Sequence, residues 1–205
     1  MKTKLLLLIF ATIVVCNVPA QKNFAVAEQV SGVYIFNDCT PIGKYKVLGD
    51  ISFGGRTNST FIAMPNGTGG TTMIYSGGGT PQYTSIRNGL VANAVMANRE
   101  VDGIILHLEK EGMGRATMIK FLEGEDKATC KVVRQQGLYV FCDCKPLQDY
   151  NKLGEIVGAG GLSSLYSDLR NRLIKKVLRK YKTADGLILN LVEGGRDRAD
   201  AIQIE

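Results

Sequence analysis

"GVYIFNDCTPIGKYKVLGDISFGGR" (32–56) returns 105 residues later as "GLYVFCDCKPLQDYNKLGEIVGAGG" (137–161), with no gap and with 11 of 25 positions identical. Tyr34, Phe36, Asp38, Cys39, Pro41, Tyr45, Leu48, Gly49 and Ile51 fall on Tyr139, Phe141, Asp143, Cys144, Pro146, Tyr150, Leu153, Gly154 and Ile156. A second gapless match, at a spacing of 83, lays residues 83–121 on 166–204 with 13 of 39 identical. The chain therefore reads as a tandem repeat, 21–122 and 123–205, whose first copy carries a Gly-rich insertion over 57–82.

Each copy gives the same pattern. A β-run (24–29; 128–134) turns at Gly32 or Gly137 into a strand and continues through "YKVLGDISF" or "YNKLGEIVG" as another extended segment. A helix follows. In the second copy Leu165, Leu169, Leu173, Val177 and Tyr181 recur every four residues, with Ser163 and Ser164 as N-cap candidates. Asp102-Gly103 and Asp185-Gly186 then read as helix ends with glycine in the left-handed conformation, and a hairpin closes each unit. The fold class expected is α+β: two similar domains, each a small, mostly antiparallel sheet with one long helix packed on it. The copies are expected to pair about a pseudo-two-fold axis. The insertion is expected to be the least ordered part of the mature chain, because its glycines raise the entropy cost of fixing it.

Residues 1–20 stand apart. Lys2 and Lys4 precede an apolar run from Leu5 to Cys16, and Val18-Pro19-Ala20 offers a cleavage site. This is the pattern of a secretory signal peptide, with acylation at Cys16 as a weaker rival because valines precede that cysteine. The expected location is periplasmic or extracellular. With Lys2 and Lys4 removed, 23 basic side chains face 19 acidic ones, a mature charge of +4 that gives no reason to expect nucleic acid. No later segment is long and apolar enough to span a bilayer, and no cofactor is expected.

In an exported chain the four mature cysteines default to disulfides. A bond between Cys142 and Cys144, alternate residues of a strand, is disfavoured by distance. A three-residue turn Gln135-Gln136-Gly137 would set Cys130 opposite Cys142. That supports Cys130–Cys142 with Cys39–Cys144, against Cys39–Cys142 with Cys130–Cys144, and both pairings stay open at this point. A metal site built from Cys39, Cys142, Cys144 and His107 is the alternative use of the same residues.

The second helix carries Arg170, Arg172, Lys175, Lys176, Arg179, Lys180 and Lys182 against Asp168 alone, a stripe suited to an anionic partner or lipid phosphate as well as to plain solvation. The first helix is nearly neutral and should be the more buried. The insertion lacks the spacing of a phosphate-binding loop, and Asn58 and Asn66 open glycosylation sequons. Catalysis has little support: the sole histidine, His107, aligns with Asn190, and a nucleophilic cysteine would need a positioned base nearby. A hydrolase is the most distant reading.

Leu48-Gly49-Asp50-Ile51 and Leu153-Gly154-Glu155-Ile156, each followed by an Arg-bearing helix and then by Val101-Asp102-Gly103-Ile104-Ile105 or Ala184-Asp185-Gly186-Leu187-Ile188, resemble the YbjQ-type domain, a family labelled heavy-metal binding. They also resemble its envelope relative, the RcsF-type outer-membrane stress-sensor lipoprotein. The likeness covers about 70 residues of each half. It implies a small α/β domain with one helix on a sheet, no catalysis, and self-association or envelope signalling. The chain is accordingly expected to be an exported, non-catalytic binding or sensing protein.

Overall fold

The computed structural model describes residues 22–54, 59–60, 73–74, 83–108, 113–158, 165–192 and 196–205. The expected signal peptide and Cys16, both sequons, Ser163 and Ser164 lie outside the described residues, as does most of the insertion. In chain order the strands before the first helix are β1 (Phe24–Ala27), β2 (Gln29–Val30), β3 (Val33–Phe36), β4 (Cys39–Pro41), β5 (Tyr45–Gly54), β6 (Ser59–Thr60) and β7 (Met73–Ile74). Helix α1 (Tyr83–Ala97) leads to β8 (Gly103–Leu108) and β9 (Met113–Phe121). The second half runs β10 (Thr129–Val132), β11 (Arg134–Gln135), β12 (Leu138–Cys142), β13 (Cys144–Pro146), β14 (Tyr150–Val157), α2 (Tyr166–Lys180), β15 (Gly186–Asn190) and β16 (Arg198–Ile204). The class is α+β, with mostly antiparallel sheets and two helices.

Two five-stranded sheets have matching strand orders, β2-β3-β8-β9-β5 and β11-β12-β15-β16-β14. In each, the one parallel pair (β3 with β8, β12 with β15) is joined through the helix, and the other pairs are antiparallel. Within the insertion, β6 and β7 pair antiparallel.

The opening β-runs split: their ends fall in β2 and β11 at the edges of these sheets, but their main strands, β1 and β10, do not join them. They build a third, four-stranded sheet in the order β13-β1-β10-β4, which alternates strands of the two halves. Ala25 pairs with Cys130, the position 105 residues on. Around that pair the register is reciprocal: Ala27 faces Cys144 as Val132 faces Cys39. Strand alternation explains the layering. Val33 and Ile35 of β3, with Leu138, Val140 and Cys142 of β12, join the core that α1 and α2 cover. Phe36 and Phe141 point the other way, into a second core against the shared sheet. A short run such as "FAVA" needs only one buried face and one exposed one. The shared sheet gives it that, burying Ala25 and Ala27 and leaving Val26 exposed.

Three local expectations are corrected. The hairpin before β12 has a two-residue turn, Gln136-Gly137, with both φ values positive (48° and 92°), so Gln135 pairs with Leu138. That is the twist-compatible turn of short hairpins, and it shifts the register by one residue from the three-residue alternative. Cys130 lies against Ala25 and Pro41 rather than Cys142, because β10 runs between β1 and β4 in the shared sheet and does not pair with β12. Second, Gly103 and Gly186 are not left-handed helix ends but the first residues of β8 and β15. A Cβ there would come within 2.9 Å of the Phe36 ring or of the Tyr139 carbonyl oxygen, so close strand packing demands the glycine. Third, the N-cap position of α2 is held by Leu165, with no side-chain cap.

The helix pattern holds otherwise. Leu169, Leu173 and Val177 are buried, and α1, which buries Tyr83, Thr84, Ile86, Leu90, Val91, Asn93 and Ala94, is the more deeply seated helix.

Candidate functional site

Between β3 and β4, and again between β12 and β13, one aspartate breaks the strand. Asp38 and Asp143 have φ of 55° and 53°, a left-handed conformation that aspartate tolerates better than most residues. The kink gives the opening motif its meaning. It leaves Cys142 in the helix-facing core and carries Cys144 into the shared sheet, so the two cysteines of "CDC" serve different cores.

Each kink aspartate reaches the helix of the other half. Asp38 accepts hydrogen bonds from the Tyr166 hydroxyl (2.6 Å) and from Arg170 (2.7 and 2.8 Å) on α2. Asp143 accepts from the Tyr83 hydroxyl and from Arg87 (2.6 Å) on α1. The two tyrosine rings stack on each other with centroids 4.9 Å apart, and Asn37 donates to the Tyr83 hydroxyl at 3.0 Å. Burial pushes the Asp143 carboxyl above the usual carboxylate range, against the opposing pull of Arg87 and Tyr83. Desolvation pushes both tyrosines up as well, which keeps them as hydroxyl donors. Toward solvent, Lys22 bonds Asp185 (3.0 Å) and Lys127 bonds Asp102 (2.9 Å), again from one half to the other. This constellation fastens the halves together. Arg170 is thus spent internally, with a side chain only 17% exposed, and leaves the stripe proposed for an anionic partner.

The rest of that stripe does line a cleft. Arg172, Lys175, Lys176 and Arg179 rim a hollow of about 350 Å³ whose apolar wall is Leu169, Leu173 and Gly158. Lys176 also donates to the Val157 carbonyl, while the Lys180 ammonium sits over the Tyr181 ring at 5.1 Å.

The shared sheet holds the cysteines. Cys39, Cys130 and Cys144 place their Sγ atoms within 4.8 Å of one another, all buried and all as thiols. Hydrogen bonds from Cys144 and Cys39 pull Cys130 down to about 5, whereas Cys39 and Cys144 are pushed up, foremost by their contact with Cys130. Cys142 stands apart, pushed up by burial beside Tyr83 and Tyr166. Of the sulfurs singled out in the sequence, Cys39 and Cys144 come together with Cys130, while Cys142 does not join them: β10 runs between β1 and β4 in the shared sheet, and the kink at Asp143 leaves Cys142 in the other core.

His107 does not join them. It lies exposed on β8 with Nε2 3.1 Å from the Thr117 hydroxyl, which itself donates to Asp50 at 2.7 Å. A hydroxyl has one proton to give, so His107 must be the donor in this contact. The chain of bonds runs opposite to that of a base activating a nucleophile. Comparison with known proteins finds no matching family model, no matching curated protein and no matching solved structure.

Proposed function

We propose that the chain is an exported, non-catalytic binding protein of the cell envelope, made of two duplicated YbjQ-like units locked together, which uses the α2 cleft to engage an anionic lipid surface. The matching strand orders and the reciprocal register about Ala25 and Cys130 support the duplication. Residues 1–20 support export. No helix among the described residues is long and apolar enough to cross a membrane, so attachment through the cleft would be peripheral. The carrying observation is the cleft's chemistry, four basic side chains around an apolar wall, which suits a phosphate headgroup above the start of an acyl chain.

Vesicle sedimentation tests this. The full mature chain is expected to bind phosphatidylglycerol-containing vesicles and to ignore pure phosphatidylcholine, with binding falling as salt rises. At about 1 kcal/mol per basic side chain near an anionic surface, Lys175→Gln, Lys176→Gln and Arg179→Gln together should cost about 100-fold in partition. Equal binding to both vesicle types, or an unaffected triple variant, would sink the proposal.

Of the bonds open in the sequence, the cluster supports Cys39–Cys144 and Cys130–Cys144 for the exported, oxidised chain, and neither bond to Cys142. Non-reducing peptide mapping should find Cys142 as a free thiol under all conditions that leave the fold intact. A Cys130–Cys142 or Cys39–Cys142 peptide would refute the assignment.

A further inference from the structure

The cysteine cluster has no part in the lipid-binding role, and packing alone does not account for it. Buried cysteines often serve as small hydrophobes. The shared sheet supplies its own control against that reading here: Ala25, paired with Cys130 and equally inaccessible, fills the same place in the first half with a methyl group. A sulfur at position 130 is thus more than the sheet requires. It joins Cys39 and Cys144, which occupy the equivalent positions of β4 and β13, so that three separate strands each deliver one Sγ to one point.

The three cysteines belong to a core that also holds Phe36, Phe121, Phe141 and Ile202. Among the described residues no histidine or carboxylate joins the group. Asp38 and Asp143 are held by the opposite helices, His107 is bonded to Thr117, and Cys142 lies in the other core.

We propose that Cys39, Cys130 and Cys144, in the reduced protein, form a three-coordinate, all-sulfur site for a soft thiophilic ion, Cu(I) or trivalent arsenic. Softness selects such ions for thiolate, and an apolar wall offers nothing to harder ones. Structural zinc takes four ligands and would lack one. The geometry needs little change: metal–sulfur bonds of about 2.3 Å set trigonal sulfurs about 4.0 Å apart, against the present spread of up to 4.8 Å. No electron transfer is involved. Cu(I) replaces the proton of each thiol that it binds, and those protons leave to solvent. With arsenous acid, three S–H and three As–O bonds break, three As–S bonds form and three waters depart, leaving an uncharged product. A disulfide between any two of the cysteines would remove two of the three ligands, so the site belongs to the chain in which all three are thiols.

The test uses the full mature chain, reduced and desalted without oxygen, in two arms: Cu(I) delivered from a chelator, and arsenite. One equivalent should be retained in at least one arm, and X-ray absorption at that element's edge should show three sulfur neighbours and no nitrogen or oxygen. Cys130→Ala copies the residue at position 25 and so should fold. It should lose more than about 100-fold in affinity, beyond the cost of removing a mere outer-shell contact, whereas Cys142→Ala should bind as the parent does. Retention in neither arm, a shell containing nitrogen or oxygen, or unchanged binding by Cys130→Ala overturns the site.

Discussion

Replacing Asp143 by alanine should destabilise the protein by about 3–5 kcal/mol, the cost of removing one partner from a buried charge pair and stranding the other. Arg87 would be left with a side chain 19% exposed and without its carboxylate, and the Tyr83 hydroxyl would lose its acceptor. Asp38→Ala should behave alike through Arg170 and Tyr166. Combining Asp143→Ala with Arg87→Met should recover much of the loss, since the orphaned charge is gone. Urea unfolding measures all of these, and a loss under about 1 kcal/mol for Asp143→Ala would place the pair with ordinary surface salt bridges. The pH dependence has a definite sign. Because the folded state raises the Asp143 carboxyl above its unfolded value, the folded state holds the proton more tightly. Its contribution is present below the ordinary carboxylate range and falls away as pH rises through the raised value. Asp143→Asn cannot ionise and should flatten that part of the stability curve.

The residues of this interlock were visible in the sequence as recurrences. Asp38 and Asp143 align at a spacing of 105, and Tyr83 with Tyr166 and Arg87 with Arg170 at a spacing of 83. Recurrence cannot say whether an aspartate meets the arginine of its own copy or of the other. Only the left-handed kink, which turns the aspartate out of its strand, decides that. Strand and helix identities were legible for a similar reason in reverse: the apolar β-branched and aromatic runs "VYIF" and "LYVFC", and the spacing of Leu169, Leu173 and Val177, are set by neighbours close in sequence. The shared sheet was not legible, because a four-residue run such as "FAVA" records that it has a buried face without recording whose.

The cysteines show which information is missing. The expected Cys130–Cys142 opposition needed the strand before the turn to stay beside β12, but only β11 does so; on the other side of Val133 the chain belongs to the shared sheet, where β10 pairs with β1 and β4. Gln136 carries a positive φ of 48° that its side chain does not advertise, whereas an Asn-Gly pair would have signalled the shorter turn.

The shared sheet makes the other large prediction. Residues 22–122 and 123–205, expressed separately, should each fail to reach a stable fold, because each would keep a five-stranded sheet with one face stripped. In the second half alone, β10 would lose both neighbours, β1 and β4, and β13 would lose β1. Phe141 and Ile202, fully buried in the intact chain, would then face water. The first half would meet the same fate at Phe36 and Ile119, and Arg87 and Arg170 would each lose the aspartate that the other half supplies. Burying a side chain of this size contributes about 1.5–3 kcal/mol, and a domain of ordinary stability, about 5–15 kcal/mol, does not survive losing several such contributions together with a buried ion pair. Mixing the halves should restore the near-ultraviolet circular dichroism of the tyrosines, since Tyr83 and Tyr166 stack only in the assembled pair. The intact chain should unfold in one transition by every probe. Two separable transitions, or a half that folds cooperatively alone, would mean that the five-stranded units are stable by themselves and that the shared sheet merely joins them.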